Sequence, residues 1–235
     1  MLFVHEVHQV AGAHEDEFEA AYRDGWMPTL AQGDEARLLY FLHHAHGTGR
    51  AYNVVTLTAV RDGAAWDSLV RRIQTGDLRA WARDLDHFRH RVTGKVLAAV
   101  PWSPLTEVEL ESVPTGDVHP LTLFMEDTAW PHEGMLDDYL DAVHAQYAPS
   151  LAESGRGGRG LLDLQAVFQP AWGSHARREV VLWQKVRDAR GITALIGSEV
   201  PAEYRAPGTW MHDALRVRDD WESKLLRTAA WSPLY

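Results

Sequence analysis

The sequence predicts an α+β chain in which two tandem units of order β-α-β-β-α-β close on each other as one intrachain α/β barrel. Three observations predict it. Residues Trp81–Leu105 and Trp210–Leu234 align without a gap, matching at Trp81/Trp210, Asp84/Asp213, Arg89/Arg218, Lys95/Lys224 and Leu97/Leu226 before a shared Trp-Ser-Pro-Leu. Self-similarity of this kind marks an internal repeat. Upstream, Val54-Val55 with Val60-Arg61-Asp62 matches Val180-Val181 with Val186-Arg187-Asp188, and His14-Glu15 with Phe18 matches His132-Glu133 with Leu136. Between the copies lies Thr106–Pro120, acidic and broken by Pro114, Gly116 and Pro120, which reads as a linker. It divides the chain into halves 1–105 and 121–235.

Each element has a local reason. Leu2–Val10 and its counterpart Leu121–Trp130 are β-rich runs. Glu15–Leu30 carries Phe18, Ala21, Tyr22 and Leu30 near helical spacing, with acids in the first turn where the helix dipole favours them. Arg37–Ala45 and Tyr52–Val60 are strands around a turn, His46-Gly47-Thr48-Gly49-Arg50. Ala65–Arg91 reads as helix interrupted near Gly76, and apolar Val96–Val100 closes the unit. This is the ferredoxin-like split βαβ order. Helices cover one face of such a sheet. The other face of each copy must find cover, and two uncovered faces enclose a cavity.

Composition excludes several roles. A formal charge of −10 disfavours nucleic acid and anionic membrane surfaces as partners. The chain has no cysteine, so disulfides, thiolate metal sites and cysteine nucleophiles are out. No apolar run has the length of a membrane span, and the N-terminus lacks a basic n-region, so the expected location is the cytoplasm. Gly-x-Ser-x-Gly is missing, which speaks against a serine hydrolase, and no dinucleotide cofactor is expected.

With the motifs laid out, the halves resemble the NIPSNAP family of the dimeric α/β barrel group. The resemblance rests on Pro101-Trp102-Ser103-Pro104-Leu105 and Ala230-Trp231-Ser232-Pro233-Leu234, on Asn53–Val60 as a third strand, and on Glu6-Val7-His8 in place of the usual Glu-Leu-Arg. It implies the barrel fold and a shared cavity. In the second half Phe124 and Glu126 are expected at the positions of Glu6 and His8.

Strand alternation sorts Leu2–Val10 into Phe3, His5 and Val7 on one face and Val4, Glu6 and His8 on the other. The apolar set is expected under the helices, which turns Glu6, His8 and Glu126 toward the barrel cavity as an acid/base group. Tyr40, His44, Tyr52, Phe124, Trp183 and Gln184 are the expected substrate contacts. His44 and His46 are an alternative metal pair. Glu153–Gly160 is an expected surface loop or lid. The function expected is a cofactor-independent enzyme that isomerises, cyclises or oxygenates a small apolar or aromatic metabolite. Two alternatives stand beside it: a non-catalytic binding protein, and a haem- or metal-dependent enzyme with His212 or His144 as axial ligand. A homodimer is compatible with all three.

Overall fold

A computed structural model describes residues 1–156, 160–173 and 177–235, with the side chains of residues 156, 194 and 195 outside the description. The first half runs β1 (Leu2–Val10), α1 (Glu15–Ala21), a π-helical turn (Tyr22–Trp26), α2 (Met27–Leu30), β2 (Ala36–His44), β3 (Asn53–Val60), α3 (Gly63–Gln74), α4 (Arg79–Phe88) and β4 (Arg89–Ala99). The second half runs β5 (Leu123–Pro131), α5 (Leu136–Ala142), a π-helical turn (Val143–Tyr147), α6 (Ala148–Arg156), β6 (Leu162–Trp172), β7 (Val180–Val186), α7 (Ala189–Gly197), α8 (Trp210–Asp213) and β8 (Arg218–Thr228). The last strand of the first half starts at Arg89, where the helical reading had continued to Arg91. Its inward positions Arg91, Thr93 and Lys95 are polar, which hides the apolar alternation of a half-buried strand.

The strands close into one antiparallel barrel in the order β1-β3-β2-β8-β5-β7-β6-β4. Each half contributes a four-stranded sheet, β4-β1-β3-β2 or β8-β5-β7-β6, and the seams are β2–β8 and β4–β6. Pairing fixes how the halves correspond. His5 lies opposite Lys95 as Glu126 lies opposite Lys224, and Phe3 opposite Leu97 as Phe124 opposite Leu226. The same register matches Ala21 with Ala142, Pro28 with Pro149 and Leu30 with Leu151, and it superposes the two π-helical turns. Phe124 and Glu126 are therefore counterparts of Phe3 and His5, not of Glu6 and His8. Aligning His14 with His132 had shifted that register by three residues.

The repeated Ser-Pro-Leu endings cross between halves. Ser103 Oγ accepts a hydrogen bond from Val167 N (3.0 Å) and donates to Leu105 O (3.0 Å). Ser232 Oγ accepts from Phe41 N (3.1 Å) and donates to Leu234 O (2.9 Å). Both donors, Phe41 N and Val167 N, sit beside a register shift in their strand, at Leu38/Tyr40 in β2 and at Leu164/Ala166 in β6. A bulge leaves backbone groups without ladder partners, and buried ones must find another. Each serine supplies that partner to the opposite half.

Inside the barrel, Phe3, Leu57, Leu97, Phe124, Phe168, Trp183 and Leu226 form an apolar plug. Leu110 and Val113, in the segment expected as a bare linker, pack onto it and close that end. Phe18, Tyr22 and Trp26 cover the outer face of the first sheet, as Tyr139, Val143 and Tyr147 cover the second. No helix among the described residues is long and apolar enough to cross a membrane.

Candidate functional site

The two faces of β1 are the reverse of those expected. Phe3 packs in the barrel plug, and His5 reaches across the interior to Glu126. Glu6 and His8 point outward, beneath the helices of the first half, where His8 packs against Phe18 and Tyr22. Polarity misled the assignment, because His5 is a polar residue buried inside with a charged partner.

Glu6 borders a cavity of about 150 Å³ between sheet and helices. Val4, Trp26, Leu30, Trp66 and Leu85 supply most of its wall, and Tyr22, Thr58 and Arg89 add polar atoms. Glu6 keeps 29% of its side chain open, and it lines this space. Burial raises its pKa, with Arg89 opposing in part. A carboxylate whose pKa is raised is a stronger base than a free one, which suits it to taking a proton.

Next to Glu6 lies a buried polar group. Arg89 Nη1 donates to His8 Nδ1 at 2.7 Å. That bond leaves the imidazole proton on Nε2, which faces Thr56 Oγ1 at 3.1 Å and the Tyr22 hydroxyl at 3.3 Å. Burial, reinforced by Arg89, holds the His8 pKa well below the usual histidine value, so the ring is neutral. Burial likewise drives the Tyr22 hydroxyl far up, keeping it protonated. With His8 donating toward Tyr22 Oη, the tyrosine proton is free to turn into the cavity. Glu6 and His8 lie 4.0 Å apart, so the expected pair does meet, but outside the barrel. Tyr22 and Arg89 were not singled out from the sequence. Arg89 carried a signal, since it matches Arg218 in the repeat.

Glu126 does face the barrel interior. It is 1% exposed and accepts from His5 Nε2 at 2.7 Å and Lys224 Nζ at 3.0 Å. Burial works to raise its pKa, but the two partners outweigh it and hold the carboxyl well below the usual range. Beyond this group the barrel opens into a cavity of about 440 Å³, lined by His5, His44, Asn53, Arg91, Lys95 and Lys224 among others.

The remaining candidates divide. Tyr40, Phe124 and Trp183 touch one another in the barrel plug, with ring centroids 5.2 to 6.0 Å apart, and His44 lines the barrel cavity. Tyr52 is 49% exposed in the turn before β3, in the left-handed region at φ 59°, and lines neither cavity. Gln184 is buried beneath the second half's helices, bonded to Tyr147 and Asp127. His46 is exposed beyond the end of β2, so it does not share the inward face of His44. Among the described residues no cluster of three or more His, Asp or Glu has a metal-binding arrangement. His144 is exposed and stacked on Trp102, and His212 is exposed and paired with Asp213. Neither lines either of the two cavities described above, so the proposed axial positions do not fit a haem bound there. Part of Glu153–Gly160, residues 157–159, lies outside the described residues.

No known protein family's sequence description matches the chain, and no curated protein matches it in sequence. Solved structures do share its fold. A candidate monooxygenase from Fusobacterium nucleatum matches with a TM-score of 0.57 at 7% identity, over 97% of this chain and 91% of its own. A candidate monooxygenase from Lactobacillus acidophilus matches at 0.56 and 9% identity, over 99% and 97%. The chain thus has the α/β barrel fold over nearly its whole length. An uncharacterized NIPSNAP domain protein from Burkholderia xenovorans matches 43% of this chain and 97% of its own at 17% identity, with a TM-score of 0.38.

Proposed function

We propose that this chain is an enzyme that moves a proton on a small apolar or aromatic ring held beneath the first half's helices, with Glu6 as the base. The observation that carries the reading is Glu6 itself, a carboxylate of raised pKa on the wall of a mostly apolar cavity. Perturbed titratable groups in such clefts mark sites of chemistry. A cavity of about 150 Å³ accommodates one benzene-sized ring.

In this reading the Glu6 carboxylate takes a proton from a carbon beside a carbonyl, and the electron pair of that C–H bond moves onto the carbonyl oxygen. The Tyr22 hydroxyl donates a hydrogen bond to the enolate oxygen. Return of the proton from Glu6 to a different carbon completes an isomerisation. Cyclisation or oxygenation would begin with the same abstraction. The monooxygenase label of the two long structural neighbours agrees with small-molecule chemistry of this kind. The NIPSNAP-like assignment of each half belongs to the same reading, supported by the two Ser-Pro-Leu endings and their equivalent hydrogen bonds at the two bulges.

The test uses 2-cyclohexenone, a single enolisable ring, as probe in deuterated water. The native chain should accelerate deuterium uptake next to the carbonyl, and Glu6→Gln should slow that uptake by about 10²–10⁴-fold, the usual contribution of a general base. Equal exchange by both proteins rejects the assignment. Binding of the probe without exchange replaces catalysis by ligand carriage.

A further inference from the structure

The barrel cavity is separate from the Glu6 site: strand alternation puts the two on opposite faces of β1, and they share no lining residue. We infer that it is a second ligand site, built for a small organic acid that also carries a hydroxyl group.

The hydroxyl is assigned by His5. This residue is 2% exposed, and its Nε2 bonds the Glu126 carboxylate. A carboxylate only accepts, so Nε2 carries a proton, and in the neutral ring the other nitrogen presents a lone pair. That nitrogen, Nδ1, is buried without a hydrogen-bond partner among the described residues, and His5 lines the cavity. A buried polar atom left unpaired costs free energy comparable to a lost hydrogen bond. A ligand O–H aimed at Nδ1 removes that cost. A carboxylate orienting an imidazole whose far nitrogen meets a hydroxyl is also the arrangement that makes such a hydroxyl more nucleophilic.

The acid is assigned by the charges around His5. Arg91 and Lys95 come from β4, Lys224 from β8, and Arg50 from the turn after β2. Two of the carboxylates facing this group are engaged, Glu126 by His5 and Lys224 and Glu179 by Lys95 and the Trp130 indole, so these two lysines are paired and the charge open to an anion is that of Arg50 and Arg91. The third, Glu222, lies 3.5 Å from Lys224 and is 55% exposed at the rim. His44 also lines the space, and neither of its ring nitrogens has a partner among the described residues. It can donate to the acid through one nitrogen while the other stays free. A cavity with this lining inside a chain of formal charge −10 is a local basin for an anion. Its volume falls within the ordinary range for small-molecule clefts. Gly173 helps to keep the space open. At φ 90° it takes a conformation that side chains avoid, and a Cβ there would meet Gly94 O at 2.9 Å.

3-Hydroxybenzoate and benzoate differ by one hydroxyl, which in the meta position cannot bond its own carboxylate, so they are the probes. Calorimetric titration of the full chain should show 3-hydroxybenzoate binding at least tenfold more tightly than benzoate, as expected when a hydrogen bond satisfies a buried acceptor. NMR of the histidine rings should show the His5 and His44 signals moving together. His44→Gln and Arg91→Gln alter residues that line the cavity and should each weaken 3-hydroxybenzoate about tenfold or more. Glu6→Gln should leave 3-hydroxybenzoate binding unchanged, which separates this site from the one proposed for proton transfer. Equal affinity for the two probes, no binding of either, or binding lost in Glu6→Gln but kept in His44→Gln would each overturn the inference.

Discussion

Replacing Glu126 by glutamine tests whether charge, not shape alone, holds the barrel interior together. The carboxylate is 1% exposed and takes bonds from His5 at 2.7 Å and Lys224 at 3.0 Å. Glutamine keeps the volume but offers one acceptor and one donor group where two donors converge. Breaking a buried ion pair from one side costs about 3–5 kcal/mol, because the partner charge stays behind. Lys224 is 19% exposed and retains Glu222 at 3.5 Å, so the loss should fall toward the lower end, roughly 3 kcal/mol. For a chain of this size that corresponds to a fall in melting temperature of roughly 6–12 °C. The pH dependence has a definite sign. The folded pKa of Glu126 lies below its unfolded value, so its contribution is complete above the ordinary glutamate range and fades as pH falls from that range down through the depressed folded value. Urea unfolding of both proteins, followed by tryptophan fluorescence, should give a constant stability difference from neutral pH to mild acid and a shrinking one below it. A variant within 0.5 kcal/mol of the native protein at pH 7, the scatter of ordinary surface changes, refutes the reasoning.

Three further outcomes follow from the geometry. Arg89 opposes the burial that raises the Glu6 pKa, so Arg89→Gln should move the acidic limb of the deuterium-exchange profile to higher pH; movement to lower pH contradicts the assigned role. A Cβ on Gly25, in the first π-helical turn, would lie 2.3 Å from the Trp81 ring, so Gly25→Ala should cost about 1–3 kcal/mol by overpacking, read as a lowered urea midpoint. Leu110 is 2% exposed against the barrel plug, so Leu110→Ala should cost about 2–5 kcal/mol; a cost near zero would mean that the segment merely connects.

The fold was legible because repeats and strand patterns record burial, and burial follows from the backbone. Trp-Ser-Pro-Leu occurs twice because two bulges each need one serine. The inward face of β1 was not legible, because the partner that makes His5 tolerable inside stands 121 residues away. Local alternation cannot register such a partner. The register between the halves was on the page, in Ala21/Ala142, Pro28/Pro149 and Leu30/Leu151, but the more conspicuous His-Glu pairs displaced it. Of the site proposed for proton transfer, Glu6 and His8 were found as a pair and put on the wrong side of the sheet. Tyr22 read as one more core aromatic on a helix, and nothing local set its hydroxyl apart.

The corrected register also explains what a duplicated chain can do that a symmetric pair cannot. β1 and β5 stand opposite each other in the barrel, and His5 and Glu126 occupy equivalent positions in the two halves. In a homodimer with a two-fold axis each residue there would face its own copy across the axis. Two glutamates would repel in a poorly solvated interior, and two histidines would lack the acceptor that fixes their protons. A single chain carries histidine on one side and glutamate on the other, while keeping Lys95 and Lys224 alike as their strand neighbours. The asymmetry leaves one oriented imidazole, His5, which lines the cavity and whose Nδ1 has no partner among the described residues. Exchanging the two residues, with Glu at position 5 and His at position 126, preserves the pair and tests this point. If equivalence governs, the swapped protein should recover most of the stability that Glu126→Gln loses. A swap no more stable than the single variant would show that the surroundings of the two positions have diverged too far to be interchangeable.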